Sequence, residues 1–273
     1  MADGELTAFQ PDIWQCWHET LGSVDRPTWD WEGLGYPYWR IYWNHHPGAS
    51  VSFNGADYAL DPEFVVVVAP NTVVDHHLSG VVEHTYAHAT LGYPYDGVVP
   101  HVRRIPVEDV PIHLWLFALR GGEDGGGETL DFSQTLAAQA FVLSVFSAFP
   151  GGVWPKPATD PAIHGLVREI SRHPSRSFRT TDMAERCGMS VNTLLRRFRE
   201  QIGRSPQQFV ADCRLQRACV LLHRTSRSIE QIAEGCGFCD RYHFSKVFKR
   251  RYRCGPAAFR HRPFAPRLFR GAP

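Results

Sequence analysis

The sequence predicts an α+β protein of two domains: an N-terminal β-barrel followed by a helix, and then an all-α domain with two helix-turn-helix units. Short β-prone segments separated by turns occupy residues 38–107, as in barrels and jelly rolls. Two similar patterns of short helix, Gly-containing turn and longer basic helix lie within residues 181–252. Charge divides the chain in the same way, because residues 156–273 hold 24 Lys and Arg against 9 Asp and Glu, whereas residues 1–155 hold 5 against 19. A basic half suits a polyanion and an acidic half does not, which indicates two domains with different partners.

The barrel domain is expected over residues 1–120, with residues 1–35 as an N-terminal arm or irregular strands. Turn residues separate the segments that follow, and Asn54-Gly55 is a strong hairpin signal because both residues tolerate a positive φ. Many short strands at this spacing favour a barrel or jelly roll. The predicted strands are residues 38–46, 51–53, 58–60, 64–69, 81–91 and 102–107.

A connecting region is expected over residues 121–160. Just before it, the apolar residues 111–120 predict either a last strand or a short helix. The connecting region begins with a linker of Gly and acidic residues at 121–127. Residues 131–149 then have a broad apolar helical face, which either packs on the barrel or forms a dimer seam. Residues 151–160, rich in Gly and Pro, are the predicted interdomain linker.

The all-α domain is expected over residues 161–263, with a first helix at 161–173 and a tail at 264–273. Ser190 can cap the longer helix of the first unit and Asp240 that of the second, because side-chain oxygens accept hydrogen bonds from the free N–H groups there. Apolar residues recur at helical spacing along both longer helices, which predicts a buried stripe in each. These stripes are Leu194, Phe198 and Ile202 in the first unit, and Phe244, Val247, Phe248 and Tyr252 in the second.

The stretch "MAERCGMSVNTLLRRFREQIGRSPQQFVADCRLQRACVLL", followed by "SIEQIAEGCGFCDRYHFSKVFKRRY", resembles the DNA-binding domain of the AraC/XylS family of bacterial transcription regulators. Two units, a joining helix at residues 206–223 and the terminal Pro256 and Phe259 all occur in order, which makes the resemblance specific. One position departs: the family usually has Gly after the aromatic residue that ends the last long helix, and here that residue is Arg253, so Gly255 becomes the candidate C-cap. The resemblance implies a sequence-specific regulator that is not an enzyme, with double-stranded promoter DNA, RNA polymerase and a second copy of the chain as partners.

By this resemblance, exposed positions near the start of each basic helix read the bases. Arg196 would hold guanine in a bidentate manner, and Asn192 would hold adenine. The base-reading set is Asn192, Leu195 and Arg196 in the first unit and Arg241, Tyr242, His243 and Lys246 in the second, and the phosphate-contacting set is Arg197, Arg199, Lys249 and Arg250.

The stretch "PGASVSFNGADYALDPEFVVVVAPNTVVDHH" resembles the cupin-like sensor domain of the same family. In sugar-responsive relatives a small ligand lies inside this barrel, and the N-terminal arm can close over it. The resemblance therefore implies a cupin-like barrel that senses a small-molecule effector.

Alternation along residues 82–90 puts His84, Tyr86 and His88 on one face of a strand, which we expect to point into the barrel. Aromatic walls with a few polar groups suit a small polar ligand such as a sugar, although the same aromatic side chains could simply fill the barrel. We expect Trp39 or Trp43 of an earlier strand on the facing wall, and Arg40 of that strand as a rim or salt-bridge residue. The candidate ligand-binding residues are Trp39, Arg40, Trp43, His84, Tyr86 and His88.

A metal-dependent cupin enzyme, or a metal or redox sensor fused to a DNA-binding domain, is the rival interpretation. Nine of the fourteen His precede residue 114, but the H-x-H motif of metal-binding cupins is absent. His84 and His88 could share a face, without an assured second cluster. Cys236 and Cys239 form a C-x-x-C in a helix-turn-helix turn with no well-placed second pair, which disfavours zinc. No metal, cofactor or catalytic residue is therefore predicted.

The seven Cys are an odd number, and no signal peptide or membrane-spanning run is visible. The sequence therefore predicts a cytoplasmic protein with reduced thiols and no membrane partner.

Overall fold

The computed structural model describes residues 11–119, 131–156 and 158–261. The chain divides into two compact units: unit 1 ends at Pro155, and unit 2 begins at Lys156. The first ten residues of the expected arm, the linker at 121–127 and the tail at 264–273 lie outside the described residues. Within the described ranges, no helix has the length and apolar character needed to cross a bilayer.

Unit 1 contains two antiparallel sheets followed by two helices. The five-stranded sheet has the order β1-β8-β3-β6-β9, and the four-stranded sheet has the order β2-β7-β4-β5. This β-rich domain ahead of a helical one confirms the predicted fold class. The strands are β1 (Asp12–Leu21), β2 (Trp31–Gly35), β3 (Trp39–Asn44), β4 (Ala49–Phe53), β5 (Ala56–Leu60), β6 (Phe64–Val68), β7 (Val73–Leu78), β8 (Val82–Thr90) and β9 (Val102–Pro106).

The predicted hairpin joins β4 to β5, with φ values of +52° at Asn54 and +79° at Gly55. Strand β7 is absent from the prediction because Asp75, His76 and His77 interrupt its apolar run. It forms because it lies between β2 and β4, which provide hydrogen-bond partners on both edges. Strands β1 and β2 lie in the region before residue 35, where an arm or irregular strands were expected.

The main apolar core of unit 1 lies between the five-stranded sheet and two helices, α1 (Ile112–Leu119) and α2 (Phe132–Ser147). We call the side of the sheet that faces these helices its outer face. Trp115 of α1 stacks on Phe141 of α2, with ring centroids 4.4 Å apart. Residues 111–120 therefore contain a helix, which decides between the two predicted alternatives. Helix α2 packs its apolar face on its own unit, which buries Phe141 and Val145 completely. Three further apolar side chains of α2 remain exposed: Phe132, Leu136 and Leu143.

All regular elements in the described residues of unit 2 are helices, and its two basic helices begin directly after the predicted caps Ser190 and Asp240. A capping box at Ser205 and a Pro at the first position start the long joining helix α6. The helices are α3 (Pro161–Arg172), α4 (Thr180–Arg186), α5 (Val191–Ile202), α6 (Pro206–Arg224), α7 (Ile229–Gly235), α8 (Arg241–Tyr252) and α9 (Pro256–Arg260).

Candidate functional site

The first helix-turn-helix unit consists of α4, a three-residue turn with its centre at Gly188, and α5. Gly188 has a φ of +62°, and its N–H bonds back to Glu185, so the chain reverses directly after α4. The Ser190 hydroxyl accepts a hydrogen bond from the Thr193 N–H at 3.2 Å and caps α5. Leu194 and Phe198 are fully buried, and Ile202 is half-buried. The buried stripe holds α5 in place and leaves its other side exposed.

The second unit repeats this arrangement with α7, a turn and α8. Asp240 caps α8 by accepting a hydrogen bond from the His243 N–H at 2.7 Å, and this bond lowers the pKa of the Asp240 carboxyl. The turn is one residue longer, with Gly237 at a φ of +84°. A side chain at Gly237 would place its Cβ only 2.6 Å from the backbone oxygen of Ser175. Glycine is therefore required here both for its conformation and for this close approach.

Buried aromatic side chains hold α8 against the rest of unit 2. Phe244 and Phe248 are fully buried, and the Phe248 ring lies 5.2 Å from Phe259 of α9. Tyr252 is also buried, whereas Val247 is only half-buried. The terminal Phe259 is thus part of the core that positions α8.

The two long basic helices end with the same backbone conformation but with different residues. Gly203 follows α5 with a φ of +76°, and Arg253 follows α8 with a φ of +60°. The expectation that Gly255 ends α8 is wrong, because Gly255 instead precedes α9 as its N-cap. Arg253 closes the helix itself through a hydrogen bond from its N–H to the Lys249 carbonyl.

Every side chain predicted to contact DNA is exposed on α5 or α8. Leu195 is 37% exposed and Tyr242 86% exposed, so both side chains are accessible to a partner. A surface groove of about 510 Å³, lined in part by Leu195 and Arg199, runs beside α5. The exposed set is Asn192, Leu195, Arg196, Arg197 and Arg199 on α5, and Arg241, Tyr242, His243, Lys246, Lys249 and Arg250 on α8.

The cations of the two helices differ in their partners. On α5, Arg196 forms an ion pair with Glu200 at 3.0 Å, and Arg197 forms one with Asp160 at 2.9 Å. On α8, no described acidic residue forms an ion pair with Arg241, Lys246, Lys249 or Arg250. The positive charge of α8 is therefore the more available of the two to a polyanion.

A second candidate site lies in unit 1, on the inner face of the five-stranded sheet, which we define as the face toward the four-stranded sheet. Strands β3 and β8 pair there so that three polar or aromatic couples lie side by side. Two further rings close the face: Trp29, just before β2, lies 4.6 Å from His76 of β7 and 5.0 Å from His84 of β8. The couples are Arg40 with His88, Tyr42 with Tyr86, and Asn44 with His84.

The expectation that Trp39 or Trp43 forms the wall facing His84 is wrong. Because β3 is the direct neighbour of β8, its residues alternate in step with it, and both Trp lie on the outer face opposite Ala89 and Thr85. Trp39 packs against Phe146 of α2 at 4.9 Å. Arg40, expected at the rim or in a salt bridge, is instead completely buried on the inner face and forms no ion pair with a described residue.

Arg40 is held by backbone carbonyls and aromatic rings. Its guanidinium donates hydrogen bonds to the carbonyls of Thr72 at 2.6 Å and Leu34 at 3.4 Å, and it lies 5.3 Å from the centre of the Tyr36 ring. No described carboxylate forms an ion pair with it, and its Nε has no hydrogen-bond partner among the described residues. A buried cation without an acidic partner is costly, which makes this position chemically distinctive.

The neighbouring titratable groups of the inner face are neutral. Burial lowers the pKa of His84 to about 3, and burial together with the Arg40 charge lowers the pKa of His76 well below its usual value. Burial raises the pKa of Tyr42 to about 12. The His84 Nδ1 donates to the Asn44 Oδ1 at 2.7 Å, which leaves the His84 Nε2 and the Asn44 Nδ2 without partners among the described residues. The inner face thus offers one buried cation, free donors and a free acceptor.

Several residues of the inner face were not predicted from the sequence. Gln15 of β1 donates to the Tyr86 hydroxyl at 2.9 Å and accepts from the His88 Nδ1 at 2.8 Å. His76 lies on the unpredicted strand β7. The only sequence signal for them was their polarity within a β-prone region.

Known proteins are similar to this chain chiefly through its C-terminal part. Residues 183–262 match the family described as "Helix-turn-helix domain". The HTH-type transcriptional regulator MtrA of Neisseria gonorrhoeae is 35% identical over 101 residues, which are 37% of this chain and 34% of MtrA. The HTH-type transcriptional activator RhaS of Escherichia fergusonii is 31% identical over 102 residues, 37% of either protein. The chain thus spans about a third of the length of the curated relatives it matches.

A solved structure is similar over most of the chain. Unsaturated fatty acid-bound ToxT from Vibrio cholerae matches with a TM-score of 0.52, covering 92% of this chain and 95% of ToxT at 16% identity. This likeness concerns the fold alone, a β-rich domain followed by a helical one. The match at residues 183–262 covers most of both capped helix-turn-helix units and α6 between them. Residues 183–262 of this chain are therefore a helix-turn-helix domain of the AraC/XylS type.

Proposed function

We propose that this protein is a transcription regulator in which α5 and α8 bind promoter DNA and unit 1 senses a small polar effector. The observation that carries the proposal is the pair of capped helices, at either end of α6, that expose the basic and polar side chains expected to read bases. The 19 residues of α6 span about 28 Å at 1.5 Å per residue. That length is close to the roughly 34 Å between successive major-groove windows on one side of DNA.

The reading set follows from side-chain chemistry. Arg196 suits guanine and Asn192 suits adenine, while the exposed Leu195 suits the methyl group of thymine. On α8, Tyr242 and Lys246 extend from the exposed side of the first two turns. Arg199 and Lys249 lie later on their helices, where a cation meets phosphate.

The proposal is tested by selecting target sequences from a random double-stranded DNA pool with the full chain, and measuring binding to the selected site. Arg196→Ala and Lys246→Ala should each weaken specific binding by about 1–3 kcal/mol and relax preference at one position. Arg172→Ala, which removes an exposed cation from α3, is the matched control and should change the affinity little. If no sequence is enriched, or if both variants bind like the control, the assigned helices do not read DNA.

For the effector, the proposal is a small polar molecule that carries a carboxylate, such as a sugar acid. Arg40 supplies a buried cation without an acidic partner among the described residues, and the neutral His84 and Asn44 offer hydrogen bonds suited to hydroxyl groups. A charged carboxylate would form the charge-assisted bonds that Arg40 lacks. ToxT holds a fatty acid, also a carboxylate, but the polar inner face here suits hydroxyl groups better than an aliphatic chain.

This effector class is tested with matched pairs of compounds, such as galactose and galacturonate. All eight Trp precede residue 155, so the thermal midpoint of Trp fluorescence reports on unit 1. An acid, but not its neutral partner, should raise this midpoint, and Arg40→Met should abolish the rise while the exposed control His77→Ala keeps it. In a promoter fusion, Tyr86→Ala should abolish the response while DNA binding survives. Stabilisation by neutral sugars alone would exclude the role given to Arg40.

Dimerisation through α2 belongs to the same proposal. The helix already packs on its own unit, so its exposed Phe132, Leu136 and Leu143 are what remain for a second copy. Leu136→Asp with Leu143→Asp should convert a dimer to a monomer in analytical ultracentrifugation. An unchanged mass would place the dimer contact elsewhere.

The direction of regulation needs a separate experiment. Transcription in vitro with purified RNA polymerase would show whether DNA binding by this protein activates or represses transcription.

A further inference from the structure

Three side chains with metal-ligating atoms meet at one end of the outer face of the five-stranded sheet. They are His18 of β1, His45 just after β3, and Glu83 of β8. One imidazole nitrogen from each His and one carboxylate oxygen all lie within 4.8 Å of one another. This cluster is separate from the inner face, because His84 next to Glu83 points to the opposite side of the sheet.

Strand register brings the three residues together from distant parts of the sequence. His18 of β1 and Trp43 of β3 both pair with Thr85 of β8, one from each side. Glu83 is two residues from Thr85, and His45 is two residues from Trp43, so alternation places both on the same face as His18. A hydrogen bond from the His45 N–H to the Glu83 carbonyl, at 3.2 Å, continues the β3–β8 ladder to this point.

The contacts within the cluster orient its ligand atoms. The Nδ1 of His18 lies 3.0 Å from the Thr85 hydroxyl, which fixes the ring and leaves the other nitrogen for a ligand bond. The Nδ1 of His45 lies 3.7 Å from a carboxylate oxygen of Glu83, and the His45 Nε2 has no hydrogen-bond partner among the described residues. The two imidazoles meet edge to face, with centroids 5.4 Å apart, so both can turn a nitrogen toward one point.

We propose that His18, His45 and Glu83 form a binding site for a divalent transition-metal ion, with Zn²⁺ as the best-suited ion. Two imidazoles and one carboxylate are a typical zinc ligand set, with bonds of about 2.0–2.2 Å. Ligand atoms within 4.8 Å need only small side-chain rotations to reach such bonds. His18 and Glu83 are exposed, so a fourth position stays open to water. The Thr85 hydroxyl positions His18, as outer partners of metal-binding His commonly do.

A bound ion would link the edge strand β1 to the middle of the sheet. Strand β1 pairs only with β8 in the described sheet order, whereas His45 follows β3 on the other side of β8. An ion held by all three residues therefore cross-links two strands across a third and stabilises the folded unit. This inference does not depend on the proposed DNA binding or on the effector.

The test uses the full chain, freed of metal by chelation, with Zn²⁺ in calorimetric titration and in thermal unfolding followed by Trp fluorescence. One equivalent of Zn²⁺ should bind and raise the thermal unfolding midpoint of unit 1. His18→Ala, His45→Ala and Glu83→Gln should each lower the affinity by more than the roughly 10–100-fold typical for loss of an outer partner. The midpoint of each metal-free variant should match that of the metal-free parent, which separates loss of a ligand from loss of folding.

The controls exclude other His and Cys as the source of binding. His46→Ala and His77→Ala remove exposed imidazoles outside the cluster and should bind like the parent. The Cys239 sulfur lies near His243 in unit 2, where the two could bind zinc weakly. Cys239→Ser tests this alternative and should bind Zn²⁺ like the parent. Co²⁺ should give no thiolate charge-transfer band. The proposal is overturned if no ion binds, if Glu83→Gln and His18→Ala bind like the parent, or if Cys239→Ser removes the binding.

Discussion

The two helix-turn-helix units have the same architecture and different electrostatics. Aligned on their buried stripes, Leu194 corresponds to Phe244 and Phe198 to Phe248, and both helices start at a capping side chain. In the same alignment Glu200 corresponds to Arg250. The first unit therefore neutralises part of its own charge through the Arg196 pair, whereas the second has a cation at the position of the acid.

This difference shows which properties of such a unit are constrained. The caps, the turn glycine and the apolar stripe recur because each satisfies a backbone or packing requirement of the domain. The exposed positions are free of that requirement, so their charges can differ. We infer that α8 contributes more to salt-dependent DNA affinity and that α5 contributes more through its individual base contacts.

The largest expected effect separates the two turns. Gly237→Ala should destabilise unit 2 by about 3 kcal/mol, because it combines a positive φ with a clash against the Ser175 backbone. A Cβ at Gly188 would meet no atom within 4 Å, so Gly188→Ala should destabilise unit 2 by only about 1 kcal/mol, the cost of a positive φ at Ala. Chemical denaturation followed by far-UV circular dichroism reports on the helices. Equal losses for the two variants would mean that the contact with Ser175 yields at little cost.

A smaller effect should follow from exchanging the charges at the corresponding positions of α5 and α8. Arg250→Glu should weaken DNA binding about tenfold and reduce the salt dependence by about one phosphate contact. Glu200→Arg should do the opposite, since it releases Arg196 and adds a cation. Binding to the selected site, measured over a range of salt concentrations, gives both values. Glu200→Gln is the intermediate control, and a weaker affinity for Glu200→Arg would contradict the inferred roles.

The smallest effect concerns the helix ends. Arg253→Gly should stabilise unit 2 by about 1 kcal/mol, because glycine adopts the φ of +60° without steric cost. Gly203→Arg should destabilise it by a similar amount at the equivalent position. Denaturation of both variants and of the double variant should show nearly additive changes. No gain for Arg253→Gly would indicate that the Arg253 side chain makes a compensating contact.

The sequence by itself determined the features that depend on neighbours along the chain. Hydrogen bonds within a few residues decide the Ser190 and Asp240 caps and the Asn54-Gly55 hairpin, so these could be predicted. The burial of Leu194 and Phe198 could be predicted because they are one helical turn apart. The exposure of the predicted DNA-contacting side chains followed in the same way, since helical periodicity separates a buried stripe from an open side.

Only the tertiary structure decided which strands are neighbours, and with them the inner face. Pairing of β3 with β8 put Trp39 and Trp43 on the outer face, with Trp39 against α2, and put Arg40 beside His88. The same pairing, with β1 added on the other side of β8, assembled His18 with residues more than twenty positions away. Alternation assigns a side chain to one of two faces, but what covers each face depends on contacts between strands and helices that are distant in sequence.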